Sequence, residues 1–118
     1  MGYDLYIHRR ANWWDKGDDI EQSAWESLCA DDLSLELTGV AIGRNPATDE
    51  VIEIKQDGLA QWSGDQQTWF NLHKGHIIVS GSEEAIIAKA CQIATSLSAR
   101  VQGDEGEFYR EDGSHYND

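Results

Sequence analysis

The stretch His76–Leu97, HIIVSGSEEAIIAKACQIATSL, decides the fold class. Its first five residues are rich in β-branched side chains and read as a strand. Ser82 then stands where a helix N-cap is wanted, and Glu83 and Glu84 suit the positive end of a helix dipole. From there Ile86, Ala90, Ile93, Ala94 and Leu97 form one apolar stripe at helical spacing, through to about Ser98. A strand that runs into an amphipathic helix needs a sheet for that helix to cover.

Working outward, the rest of the chain supplies the sheet. Lys74-Gly75 makes a tight connection back to a strand over Thr68–Leu72, with another candidate over Leu59–Ser63. Val51–Ile54 is a further strand, closed by Asp57-Gly58 and preceded by a turn over Asn45–Asp49, where Pro46 fixes one dihedral. Leu33–Ile42 alternates Leu33, Leu35 and Leu37 with polar neighbours. An earlier helix is expected from a cap at Asp18 or Asp19 to about Ala30, with Ile20, Ala24 and Leu28 at every fourth position and Trp25 and Cys29 beside them. Tyr3–His8 alternates at period two, placing Tyr3, Leu5 and Ile7 toward a core. Beyond the second helix, Val101 resumes an extended pattern, Gly103–Gly106 is a turn and Glu107–Tyr109 extends again. The order predicts an α+β fold, a mostly antiparallel sheet with two helices packed on one face. It forms a single domain over 1–109, followed by a polar, frayed tail over 110–118.

Charge narrows the function. Lys and Arg number 9 against 22 Asp and Glu, a formal net charge of −13 on 118 residues. The acids are spread from Asp4 to Asp118, which describes a negative field over most of a folded surface. Such a field repels nucleic acid and anionic membrane and steers basic partners. Five Trp, four Tyr and repeated Ile, Val and Leu clusters argue against disorder at this charge. No apolar run is long enough to span a bilayer and no signal-peptide pattern opens the sequence, so cytoplasm is expected. Gly2 invites myristoylation, but Tyr6 stands where that motif wants Ser or Thr.

Motifs for chemistry are missing. There is no GxSxG elbow, P-loop or GxGxxG, so the expectation is no catalytic site and no cofactor. His73 and His76 flank the Lys74-Gly75 turn without the further ligands zinc requires, and read as exposed turn histidines. Asp104, Glu105 and Glu107, with Glu111 and Asp112, lack the every-second-position register of a calcium loop. No metal is expected. Cys29 and Cys91 fall in helices without CxxC spacing and read as buried reduced thiols. His8-Arg9-Arg10 is a small basic spot, read as a salt-bridged strand end. Trp13-Trp14, in a loop between Asn12 and Asp15, cannot both point inward. One is expected to lie over the core and the other to be exposed beside carboxylates, as interface anchors are.

The opening Met1-Gly2-Tyr3-Asp4-Leu5-Tyr6-Ile7-His8-Arg9 and the close Arg100-Val101-Gln102-Gly103-Asp104-Glu105-Gly106-Glu107-Phe108-Tyr109 resemble a family of small acidic bacterial proteins. That family shares an MGYDLxIxR start, then Trp, then an acidic helix carrying a Trp, here Trp25. The resemblance covers both ends, about half the chain, and the polar extension past Tyr109 departs from it. At class level such chains are similar to immunity proteins of bacterial toxin systems, which implies stoichiometric occlusion of a basic toxin and transfers no site residues.

The expected function is therefore an acidic cytosolic binding protein, an immunity protein for a cognate toxin. Trp13 and Trp14 would be anchors, with Asp15, Asp18, Asp19, Asp104, Glu105 and Glu107 as the charged ring. The partner would be a basic protein, with no nucleic acid and no membrane. The alternative is a regulatory or adaptor module binding another protein or a small ligand through an aromatic pocket. An enzyme would need a buried cluster around His8, His73 or His76 that a linear reading does not reveal.

Overall fold

The computed structural model describes residues 3–38, 40–44, 46–55, 58–64, 68–81 and 83–117, with backbone alone at 40–44 and 52–55. The expected roles of Gly2, Ser82, Asn45 and Asp57 lie outside these residues. Among the described residues, ten strands and two helices follow in the order β1 (Asp4–His8), α1 (Gln22–Asp31), β2 (Leu35–Leu37), β3 (Val40–Arg44), β4 (Val51–Lys55), β5 (Leu59–Trp62), β6 (Trp69–His73), β7 (His76–Ser80), α2 (Glu84–Ser96), β8 (Arg100–Gly103), β9 (Phe108–Tyr109) and β10 (His115–Tyr116).

Eight of the strands form one sheet in the order β10-β9-β8-β1-β7-β6-β5-β2, and β3 and β4 pair as a separate hairpin. Every pairing among the described residues is antiparallel. The N-terminal strand β1 sits between β7 and β8, pairing Ile7 with Ile77 on one side and with Val101 on the other. The chain leaves β7, crosses through α2 and returns as β8 on the far side of β1. The α+β reading holds, and both helices join one core with the inward side of the sheet. Leu5, Ile7, Phe70, Ile77, Val79 and Val101 meet Trp25 and Cys29 of α1 and Ile86, Ala90, Ile93 and Ala94 of α2. The α2 stripe is buried along its whole length, Leu97 included.

Four local expectations are corrected. The first helix begins at Gln22, with Glu21 as an extended N-cap that makes no side-chain cap bond. Asp19 is held by Arg10 instead, and Asp18 has a positive φ of 46° that breaks the approach to the helix. Leu33 does not face the core: it is 96% exposed, and the alternating run divides into β2 and β3. The tail beyond Tyr109 is not wholly frayed, because β10 pairs with β9, and Tyr116 stacks on Phe108 at 5.6 Å. His76 is buried, whereas His73 is exposed as expected.

The burial of His76 follows from sheet position. Tyr6 and His8 alternate with Leu5 and Ile7, so they face away from the helices, and the register puts Ile78 and Gln102 on that same side. A strand at the centre of a sheet covered on both sides is apolar or aromatic in both sets of positions. Here the second cover is the loop over 9–21.

Candidate functional site

That loop is tied down by Arg10, a guanidinium buried to 8% exposure. Its Nε donates to the Gly17 carbonyl (2.9 Å) and its Nη1 to the Trp13 carbonyl (3.1 Å). Its Nη2 donates to Asp19 Oδ1 (2.6 Å) and to the Lys74 carbonyl (2.7 Å). Nη1 also reaches His76 Nδ1 at 3.3 Å. One planar fork thus joins the loop to the β6–β7 turn, a geometry that Lys would not reproduce. The turn itself has φ of 53° at Lys74 and 82° at Gly75, as a two-residue hairpin of this hand requires. A side chain at Gly75 would strike Asp19 at 2.4 Å.

Beneath the loop lies a second polar knot. His8 Nδ1 accepts from the Arg10 backbone N–H (3.0 Å), so the proton sits on Nε2, which donates to Gln102 Oε1 at 2.7 Å. The same Gln102 oxygen accepts from the Trp13 backbone N–H (2.9 Å), and its Nε2 donates to Asn12 Oδ1 (3.0 Å) and to the Gly106 carbonyl (2.9 Å). His8 and Gln102 are fully buried. Burial, then the nearby Arg100 and Arg10 cations, holds the His8 pKa below the ordinary histidine value despite its bond to Gln102. Burial and then Arg10 push His76 down to about 4. Both imidazoles are neutral at physiological pH.

On this base the two tryptophans divide as expected. Trp13 stacks on Tyr6, with ring centroids 4.1 Å apart and planes 5° apart, and Trp14 meets it edge-on at 5.6 Å and 81°. Trp14 is 56% exposed, and its ring lies 3.4 Å from where a side chain at Gly106 would begin. The Trp13 indole N–H is shut off from solvent and has no acceptor among the described residues, which costs about 1–3 kcal/mol.

The two loops that carry the carboxylates expected to ring these anchors are joined by Gln102, which donates to Asn12 Oδ1 and to the Gly106 carbonyl. The roles of these carboxylates differ. Asp18, Asp19, Asp104 and Glu105 are exposed, while Asp15 and Glu107 are half-buried. Asp104 accepts from the Tyr6 hydroxyl (2.8 Å) and the Asp4 backbone N–H (2.8 Å), and burial and then this bond raise the Tyr6 pKa. Glu107 accepts from the Tyr3 hydroxyl and from Tyr109 (2.8 Å). Burial alone would raise its pKa, but the two phenols outweigh that and lower it. Asp15 accepts from the Asn12 backbone N–H at 3.0 Å. Thus Glu107 and Asp15 brace the surface, and Asp18 and Glu105 stand clear of it.

Between the loop and the β6–β7 turn is a cleft of about 550 Å³ lined by Arg10, Trp13, Trp14, Asp15, Lys16, Gly17, Asp19, Lys74 and His76. Sequence reasoning did not find this cleft. Its two walls are some sixty residues apart, and the keystone Arg10 looked like a strand-end charge. Cys29 and Cys91 are buried free thiols, with burial pushing their pKa values up to about 12 and about 11. Among the described residues, no group of three or more His, Cys, Asp or Glu is placed to hold a metal, and no helix is long and apolar enough to cross a membrane. Compared with known proteins, the chain matches no family model, no curated protein and no solved structure.

Proposed function

We propose that this chain is an acidic cytosolic binding protein that occludes a basic protein partner stoichiometrically, as an immunity protein does its toxin. The observation that carries the reading is Trp14. A large ring left 56% exposed, on a base that Arg10 and Gln102 hold in place, has the character of an interface anchor. A preorganised aromatic loses little entropy on docking. Exposed Asp18, Asp19, Asp104 and Glu105 belong to the same two loops, and the net charge of −13 speeds encounter with a cationic surface.

The test is capture by tagged wild-type chain and by Trp14→Ala from lysate of the source cells, washed at low and then high salt. The expected result is one basic protein, bound stoichiometrically, loosened by salt and lost with Trp14→Ala, whose own activity falls in a titration with this chain. A protein retained equally by the Trp14→Ala chain, or untouched by salt, would overturn the assignment.

A second reading, a small ligand held in an aromatic pocket, is favoured by one specific observation. The cleft at Trp13 and Trp14 has the size of a small-molecule site, which spans roughly 300–1,000 Å³.

A further inference from the structure

The geometry points to a ligand class for that cleft: a small planar aromatic anion, its ring against the Trp13–Trp14 corner and its charge against Lys16 and Lys74. This inference rests on the small-ligand reading and is independent of any protein partner.

The sign of the charge carries the choice. The whole chain has 9 basic residues against 22 acidic ones, yet three of those nine, Arg10, Lys16 and Lys74, line this one cleft beside two carboxylates. Asp19 is paired with Arg10 at 2.6 Å, which leaves Lys16 and Lys74 against the single carboxylate of Asp15. His76 adds no charge, because burial beside Arg10 keeps it neutral. The cleft is thus cationic in a molecule that is strongly anionic elsewhere. A basic side chain would be repelled here, and a partner's cations are better met by Asp18 and Glu105.

The division of labour among the three cations supports a ligand role. Arg10 spends its fork on the carbonyls of Trp13, Gly17 and Lys74 and on Asp19, so it shapes the walls and is not available to a ligand. Lys16 and Lys74 are exposed, and among the described residues neither ammonium is in an ion pair. Flat ammonium-rimmed clefts bind many anions weakly; the aromatic wall is what selects. Trp13 is locked by its stack on Tyr6, and Trp14 stands at 81° to it, so the aromatic lining of the cleft is two fixed, mutually perpendicular rings. The larger groove between α1 and α2, about 620 Å³, has no aromatic residue in its lining and offers no such selection.

The experiment is a titration of the full chain followed by the tryptophan indole N–H resonances in nitrogen–proton correlation spectra. Three probes share one ring: indole-3-acetate, indole and tryptamine. Indole-3-acetate is expected to bind about tenfold tighter than indole, with tryptamine weakest, and to shift the Trp13 and Trp14 resonances. The double variant Lys16→Ala/Lys74→Ala should reduce indole-3-acetate to the affinity of indole and leave indole unchanged. All three side chains are exposed, so these variants and Trp14→Ala keep the fold, which the dispersion of the same spectra verifies. Indole binding as tightly as indole-3-acetate, or tryptamine binding tightest, overturns the anion assignment while leaving an aromatic pocket. Absence of saturable binding by all three overturns the pocket as well.

Discussion

His8 Nε2 lies 2.7 Å from Gln102 Oε1, and neither residue has any exposed surface. These two side chains, ninety-four positions apart, hold the Trp loop to the sheet. Gln102 has all its capacity in use: one oxygen accepts from His8 and Trp13, and one nitrogen donates to Asn12 and Gly106. A fully satisfied buried network specifies one arrangement, and a partly satisfied one is costly. Gln102→Leu keeps the volume and strands the His8 N–H, the Trp13 N–H and the Gly106 carbonyl. It should lower stability by about 3 kcal/mol, seen as a lower urea midpoint at unchanged slope. A loss under about 0.5 kcal/mol would mean the knot does not hold the loop.

The two imidazoles make stability depend on pH in a definite direction. An unfolded histidine titrates near 6.5, and folded His76 near 4, with His8 also lowered. Between those values the unfolded chain binds a proton that the native chain does not. The contribution is therefore fully present above about pH 6.5 and is lost as pH falls toward 4, by up to roughly 3 kcal/mol for His76. Glu107, whose folded pKa is lowered from 4.5, adds a further loss as pH falls below that value. His76→Gln keeps an acceptor for Arg10 and removes the titration. Urea unfolding at pH 7.5 and pH 5 should show a clearly smaller drop for this variant than for the wild type; equal drops would refute the assignment.

Much of this fold is legible in the sequence because periodicity encodes it. The α2 stripe from Ile86 to Leu97, the Leu5/Ile7 alternation and the Lys74-Gly75 turn each express a local geometric rule, and each appears where that rule puts it. The division of Trp13 from Trp14 was legible too, since adjacent residues in a loop cannot share one small buried site. The Arg10 cluster was not. His8 and Arg10, His76, and Gln102 belong to three separate stretches, and what unites them is the β8-β1-β7 order, which no local pattern states. A faint signal was present: Tyr6 and His8 in β1 and Ile78 in β7 are poor choices for a solvated face. Two sets of non-polar positions in one strand imply cover on both sides. The start of α1 was misplaced for a related reason. Asp19 has the chemistry of a cap, but a buried guanidinium claims it first.

Lys89 and Asp32 offer the sharpest separation of partners in one interaction. Asp32 is the C-cap residue of α1, where a carboxylate faces the negative end of the helix dipole, and the last turn carries no basic residue of its own. Lys89 of α2 supplies the missing cation at 2.5 Å, buried to 8% exposure, while Asp32 is 26% exposed. Burial would raise the Asp32 pKa, but the bonds from Lys89 and Ser34 lower it. Removing the carboxylate leaves a buried ammonium whose remaining partner among the described residues is Gln92 at 3.0 Å. Removing the ammonium leaves a carboxylate that water can reach and that Ser34 still contacts through its N–H (2.9 Å) and hydroxyl (2.6 Å). Asp32→Ala is therefore expected to cost about 3 kcal/mol and Lys89→Met about 1 kcal/mol, since Met replaces the stem and needs no partner. The double variant should lie closer to Lys89→Met than to the sum of the two single changes. Urea midpoints for all four chains decide it. A cost for Lys89→Met equal to or above that of Asp32→Ala would show that the ion pair itself stabilises the contact between the helices, and that an unpaired buried ammonium is not the larger penalty.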